Sequence, residues 1–193
     1  MTRPARGPGN APPPLTYPLA TLLAEGIGAE RRYDVHGATI ALPDELRLVE
    51  PLDGQVRIAR TNRGVFVDAK LTTAIAGQCV RCLRDIEIPM TVQIHDEALP
   101  SVDLATGQAV DTSAEPDATR LTDHHELDLG TLAAEAISLE EPIAALCEEA
   151  CPGLCVECGE RLGPDHLAHE VDDVDPRLAA LKGFRVDGDG ESG

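Results

Sequence analysis

Six cysteines are the residues of this chain best suited to chemistry. They fall in tight groups: Cys79 and Cys82 in QCVRCL, and Cys147, Cys151, Cys155 and Cys158 in CEEACPGLCVECG. A thiolate is a soft, strongly donating ligand, and two cysteines separated by two residues can turn back onto one metal ion. Cys155-x-x-Cys158 followed by Gly159 has the form of a zinc knuckle, where glycine frees the backbone as its amides point back at sulfur. Cys147 and Cys151 stand one helical turn apart, and Pro152-Gly153 then reverses the chain and presents the knuckle. Cys147, Cys151, Cys155 and Cys158 can therefore close a tetrahedral zinc site. Such a closed site leaves no position for water or substrate, which implies folding and not a reaction.

Other assignments of the same sulfurs stay open. Cys79 and Cys82 combine with Cys155 and Cys158 into CxxC…CxxC, a second four-thiolate set that would staple the middle of the chain to its C-terminal segment, and mixed sets are equally tetrahedral. Iron–sulfur chemistry uses the same ligands. Redox exchange at Cys79 and Cys82 is a rival, although that motif normally opens a helix in a βαβ unit and here strands flank it. Cys79 and Cys82 also read as small buried hydrophobes. His166 and His169 follow the knuckle closely enough to substitute as ligands, but in so acidic a stretch they read first as solvated, as do His124 and His125. There is no phosphate-binding glycine loop, no nucleophile elbow and no acid/base pair, so the chain does not read as an enzyme.

The elements that must position these cysteines are mainly strands. From residue 46 to 95 the pattern has period two. Val56 and Ile58, then Val65, Val67, Ala69 and Leu71, share one face of a hairpin whose turn is Thr61-Asn62-Arg63-Gly64. Ile86, Ile88, Met90, Val92 and Ile94 alternate with polar residues in a third strand, and Pro89 places that strand at an edge or a bulge. Residues 100–127 are acidic and aperiodic, a long loop. Asp128 is positioned as the N-cap of a helix with an apolar stripe of Leu129, Leu132, Ala133, Ala136 and Ile137, ending before Pro142; residues 128–159 thus join a helix to the cysteine cluster. A shorter helix is expected at Thr21 to Ala29, weakened by Gly26 and Gly28. The Pro-rich start, residues 1–14, and the Gly-rich acidic end, residues 183–193, read as disordered tails around one domain at 15–182. The expected fold is α+β, mainly β: a compact antiparallel sheet or barrel-like domain with one or two helices and a C-terminal zinc-knuckle segment.

With 193 residues, a net charge of −18 and 2% aromatic residues, the chain is poorly made for gripping nucleic acid, which needs Lys and Arg for phosphates and aromatic faces for bases. An acidic surface suits a basic protein instead. No apolar run approaches the roughly 18 residues of a membrane span and no signal peptide opens the chain, so the expected compartment is the cytoplasm, where thiols stay reduced and bind metal.

The order of these features, CVRCL after a period-two region, an acidic loop, DLGTLAAEAISLEEP, then CPGLCVECG and a closing DPRLAAL, resembles the YceD family, the large ribosomal RNA subunit accumulation proteins. The resemblance spans roughly residues 15 to 182. It implies a non-catalytic role in accumulation of large-subunit ribosomal RNA and in ribosome assembly, with a basic large-subunit ribosomal protein or a pre-50S particle as partner. It also puts Cys79, Cys82, Cys147, Cys151, Cys155 and Cys158 on family motif positions. Many relatives carry a further Cys pair after the knuckle; here that region reads RLGPDHLAHE.

Overall fold

Alternation of apolar and polar residues gives each long strand one face that can leave water and one that cannot, and the chain folds accordingly. The computed structural model describes residues 15–43, 45–167 and 169. Its elements are β1 (Thr16–Pro18), α1 (Ala20–Ala24), β2 (Glu30–Ala38), β3 (Leu48–Arg60), β4 (Val65–Gln78), β5 (Asp85–Ala98), β6 (Glu126–Asp128) and α2 (Leu129–Glu140). Strands β2 to β5 form one antiparallel meander in the order β2-β3-β4-β5, while β1 pairs with β6 in a separate two-stranded ribbon. The mainly-β, antiparallel expectation holds. Of its two forms the sheet is the observed one, because β2 and β5 are edges that do not pair with each other.

Register sets the core. Val56 faces Ala69, which faces Ile94; Ile58 faces Val67; and Leu71 faces Val92. All of these are buried in one apolar cluster that also takes Leu22 of α1, Leu127 of β6 and Leu129, Leu132, Ala133 and Ile137 of α2. Helix α2 lies over β5 and touches β1. The opposite face of the sheet is polar, with a row in which Glu30, Arg57, Asp68 and His95 lie at 2.7, 3.9 and 3.2 Å from one to the next.

The hairpin at 61–64, the edge position of Pro89 in β5 and the Asp128 N-cap all occur where the sequence places them. Asp128 accepts from the Thr131 amide at 3.2 Å. The first helix is shorter than expected, Ala20–Ala24, since the chain turns extended at Glu25 before Gly26. Strand β2 carries charge at Glu30, Arg31, Arg32 and Asp34 and so hides its period of two. The closing DPRLAAL motif and both expected tails lie outside the described residues. No helix of the described residues is long and apolar enough to cross a membrane.

Candidate metal centres

Strand β4 ends at Gln78 and β5 begins at Asp85, and the chain between them is a tight turn built on Cys79 and Cys82. The Cys79 amide donates to the Arg84 carbonyl at 2.8 Å, and the Leu83 amide returns to the Cys79 carbonyl at 2.9 Å. Leu83 sits at φ 55°, the left-handed region that a Cβ resists. The same turn recurs further along the chain. The Cys155 amide donates to the Glu160 carbonyl at 2.7 Å, the Gly159 amide to the Cys155 carbonyl at 2.9 Å, and Gly159 has φ 72°. Both CxxC motifs are therefore knuckles, and in the second the Glu157 amide points at the Cys155 sulfur at 3.4 Å.

Each knuckle has its own completing pair. Cys79, Cys82, Cys147 and Cys151 form one group, and Cys155, Cys158, His166 and His169 another; within each, the donor atoms all lie within 4.8 Å of one another. In the first group Cys79 Sγ is 3.8 Å from Cys151 Sγ and Cys82 Sγ is 3.7 Å from Cys147 Sγ. A tetrahedron with bonds of about 2.3 Å from metal to sulfur has edges of about 3.8 Å. A disulfide would require about 2.05 Å. These sulfurs thus stand at the spacing of a metal's ligands.

The run Cys147, Cys151, Cys155, Cys158 is split between the two groups. That corrects the expectation of a single site from it, and equally the expectation that Cys79 and Cys82 share a metal with Cys155 and Cys158. The cause is local. Pro152-Gly153 turns the chain, with Gly153 at φ 86° and so close to the first knuckle that a Cβ there would lie 3.3 Å from the Arg81 carbonyl oxygen. Cys147 and Cys151 are left facing the end of the β4–β5 hairpin, and the second knuckle groups instead with His166 and His169. His166 and His169, read from sequence as solvated, supply its missing donors: Cys158 Sγ is 3.3 Å from His166 Nε2. Their separation from Cys158 was the available signal, masked by the acidic residues around them. His124 is exposed as expected, whereas His125 is half-buried, with φ 58° and Nδ1 buried and unpartnered.

Burial and charge differ between the groups. Cys79, Cys82 and Cys151 are buried in a small cluster of their own with Ile86 and Leu146, separate from the main core. The Cys82 amide, followed by those of Cys147 and Arg81, holds the Cys79 thiol down to about 6, while burial, together with the neighbouring sulfurs, pushes Cys147 up to about 12. Burial also raises Cys151. The site thus favours the thiolate at Cys79 and the thiol at Cys147 and Cys151, and a divalent ion bound there would favour the thiolate at both of the latter. In the second group the Cys158 and Glu157 amides lower Cys155. Cys158 and His169 are exposed and His166 half-buried.

Arg81 braces the first centre internally, and Arg161 ties the second centre to it. Arg81, from the first knuckle, donates to the Cys151 carbonyl at 3.1 Å. Arg161, just beyond the second, donates from Nε to the Cys82 carbonyl at 2.9 Å and from a terminal nitrogen to the Leu83 carbonyl at 3.2 Å. Both donor sets suit a tetrahedral metal ion.

Comparison with known proteins gives one family. A family model described as large ribosomal RNA subunit accumulation protein YceD matches residues 67–185, from the third residue of β4 through both centres. Uncharacterized proteins of Mycobacterium tuberculosis and Mycobacterium bovis are each 32% identical over 130 residues, covering 67% of this chain and 60% of theirs. An uncharacterized protein of Mycobacterium leprae is 30% identical over 141 residues, covering 71% of this chain and 62% of its own. The chain thus spans about three fifths of the length of the curated relatives it matches. No solved structure matches.

Proposed function

This chain belongs to the YceD family, and from that membership we propose that it is a non-catalytic, zinc-dependent accessory factor in the accumulation of large-subunit ribosomal RNA. The carrying observation is the closed group of Cys79, Cys82, Cys147 and Cys151, in which protein sulfur supplies all four donors and leaves no open position for a substrate. Zinc is the ion we assign there, because it takes four thiolates in tetrahedral geometry and has no redox chemistry of its own. Its task is mechanical: it fastens the C-terminal segment to the end of the β4–β5 hairpin, where a small apolar cluster could not hold it alone.

The partner follows from charge. A protein of net charge −18 is attracted to Lys- and Arg-rich ribosomal proteins and repelled by bare RNA. We therefore place its contact on a basic large-subunit ribosomal protein, free or in a pre-50S particle, in the cytoplasm. Affinity purification of the tagged chain from its own cells, with sequencing of co-purified RNA and identification of proteins, tests this. The expected result is a basic large-subunit protein retained at low salt and lost as salt rises, with ribosomal RNA recovered only alongside it. Equal binding to protein-free ribosomal RNA at moderate salt would overturn the reading.

One observation favours a second reading. The lowered thiol of Cys79 is the property a redox cysteine needs. Against it, Cys79 is fully buried. Thiol counting on the metal-loaded protein separates the two: four slow thiols fit the structural site, and fast alkylation of Cys79 and Cys82 fits exchange.

A further inference from the structure

We propose that Cys155, Cys158, His166 and His169 bind a second zinc ion, loaded and released independently of the one in the four-cysteine site. Three observations carry this. The turn at Cys155–Glu160 repeats, bond for bond, the turn at Cys79–Arg84, including the left-handed residue after the second cysteine. A turn of this kind aims two sulfurs at one point, and each copy of it has two further donors at that point, with none shared between the groups. The spacing also fits: a tetrahedral ion with bonds of about 2.3 Å to sulfur and about 2.05 Å to nitrogen sets its S···N edges at about 3.5 Å, and Cys158 Sγ lies 3.3 Å from His166 Nε2. Histidines merely solvated on an acidic segment have no reason to converge on two sulfurs, with their rings 5.1 Å apart.

The two sites differ in kind. Four thiolates around a divalent ion leave a net charge of −2 in a buried cluster; two thiolates and two neutral imidazoles leave a neutral centre. The neutral centre is the accessible one, with Cys158 and His169 exposed. It therefore loads last and empties first. Its role is to fix the turn at Cys155–Glu160 against His166 and His169, and through Arg161 to hold the guanidinium against the Cys82 and Leu83 carbonyls of the first knuckle. This second centre stands whether or not the chain acts on ribosomes.

The test is zinc content of the full-length chain, purified under reducing conditions, by native mass spectrometry and elemental analysis. The expected result is two zinc ions per chain, one for each donor group, and one in the double variant His166→Ala/His169→Ala. The variant His166→Cys/His169→Cys should recover the second ion, and after cobalt substitution its spectrum should shift from a mixed nitrogen–sulfur set to an all-sulfur set. Chelator should remove zinc from the wild type in two phases, the fast one missing from the alanine variant. One ion in the wild type, two in the alanine variant, or loss of both ions in a single phase would each overturn the proposal.

Discussion

Leu83 and Gly159 occupy the same position in two equivalent turns, at φ 55° and 72°, yet one is a branched side chain and the other has none. The left-handed conformation costs an ordinary residue about 1 kcal/mol and glycine almost nothing. Leu83→Gly should therefore be neutral or mildly stabilising, while Gly159→Ala, with open space around its Cβ position, should cost only that backbone term. In zinc competition titrations this appears as roughly a five- to tenfold weakening at the second site alone. Equal weakening at both sites would be inconsistent with two separate turns.

Cys151→Ser removes a ligand from the first site without touching the main core, because Cys151 packs with Cys79, Cys82, Ile86 and Leu146 and not with the sheet's apolar face. Hydrogen exchange should show fast amides at 79–84 and 145–161 and retained protection through β3 and β4. Global loss of protection would mean that the sheet depends on the metal.

Asp128 caps α2, accepting from the Thr131 amide and from the Thr131 hydroxyl at 2.9 Å. Asp128→Ala should cost about 1 kcal/mol, and Asp128→Asn much less. Thermal unfolding reads this as a drop of roughly 2–4 °C for alanine. A full-sized drop for asparagine would point to charge, not the cap.

Glu30 on the polar face has its carboxyl held below the usual range, chiefly by the hydrogen bond from Arg57. A carboxyl lower in the folded than in the unfolded chain adds stability that is present above the ordinary glutamate range. That stability is lost as pH falls through the folded value. Melting curves of wild type and Glu30→Gln should thus differ near neutral pH and converge in acid; a constant offset across the range would contradict the assignment. The pair is exposed, so the difference is small.

Local chemistry made much of the fold readable: Val65, Val67, Ala69 and Leu71 could belong only to a half-buried strand, and Asp128 ahead of an apolar stripe to a helix start. Strand β2 escaped because Arg31 and Arg32 interrupt its alternation, and its place is set by pairing with β3, a long-range fact. The metal centres divide the same way. Each knuckle is visible as CxxC, but which donors complete it depends on where Pro152-Gly153 sends the chain. The two histidines were legible as residues and illegible as ligands, since nothing local distinguishes an imidazole facing sulfur from one facing water.

Cys82 and Cys147 meet across 65 residues of sequence. A chain leaving the ribosome exposes the first knuckle long before its completing pair exists, while the meander from β2 to β5 needs only neighbouring hairpins and can form at once. Closure of the first site is thus a late, long-range event, followed by the docking of Arg161 on the Cys82 and Leu83 carbonyls, and a chain cut short before Cys147 has no way to make it. An ion held at this site would then report that synthesis has passed Cys151, because only from there on does one chain carry all four donors.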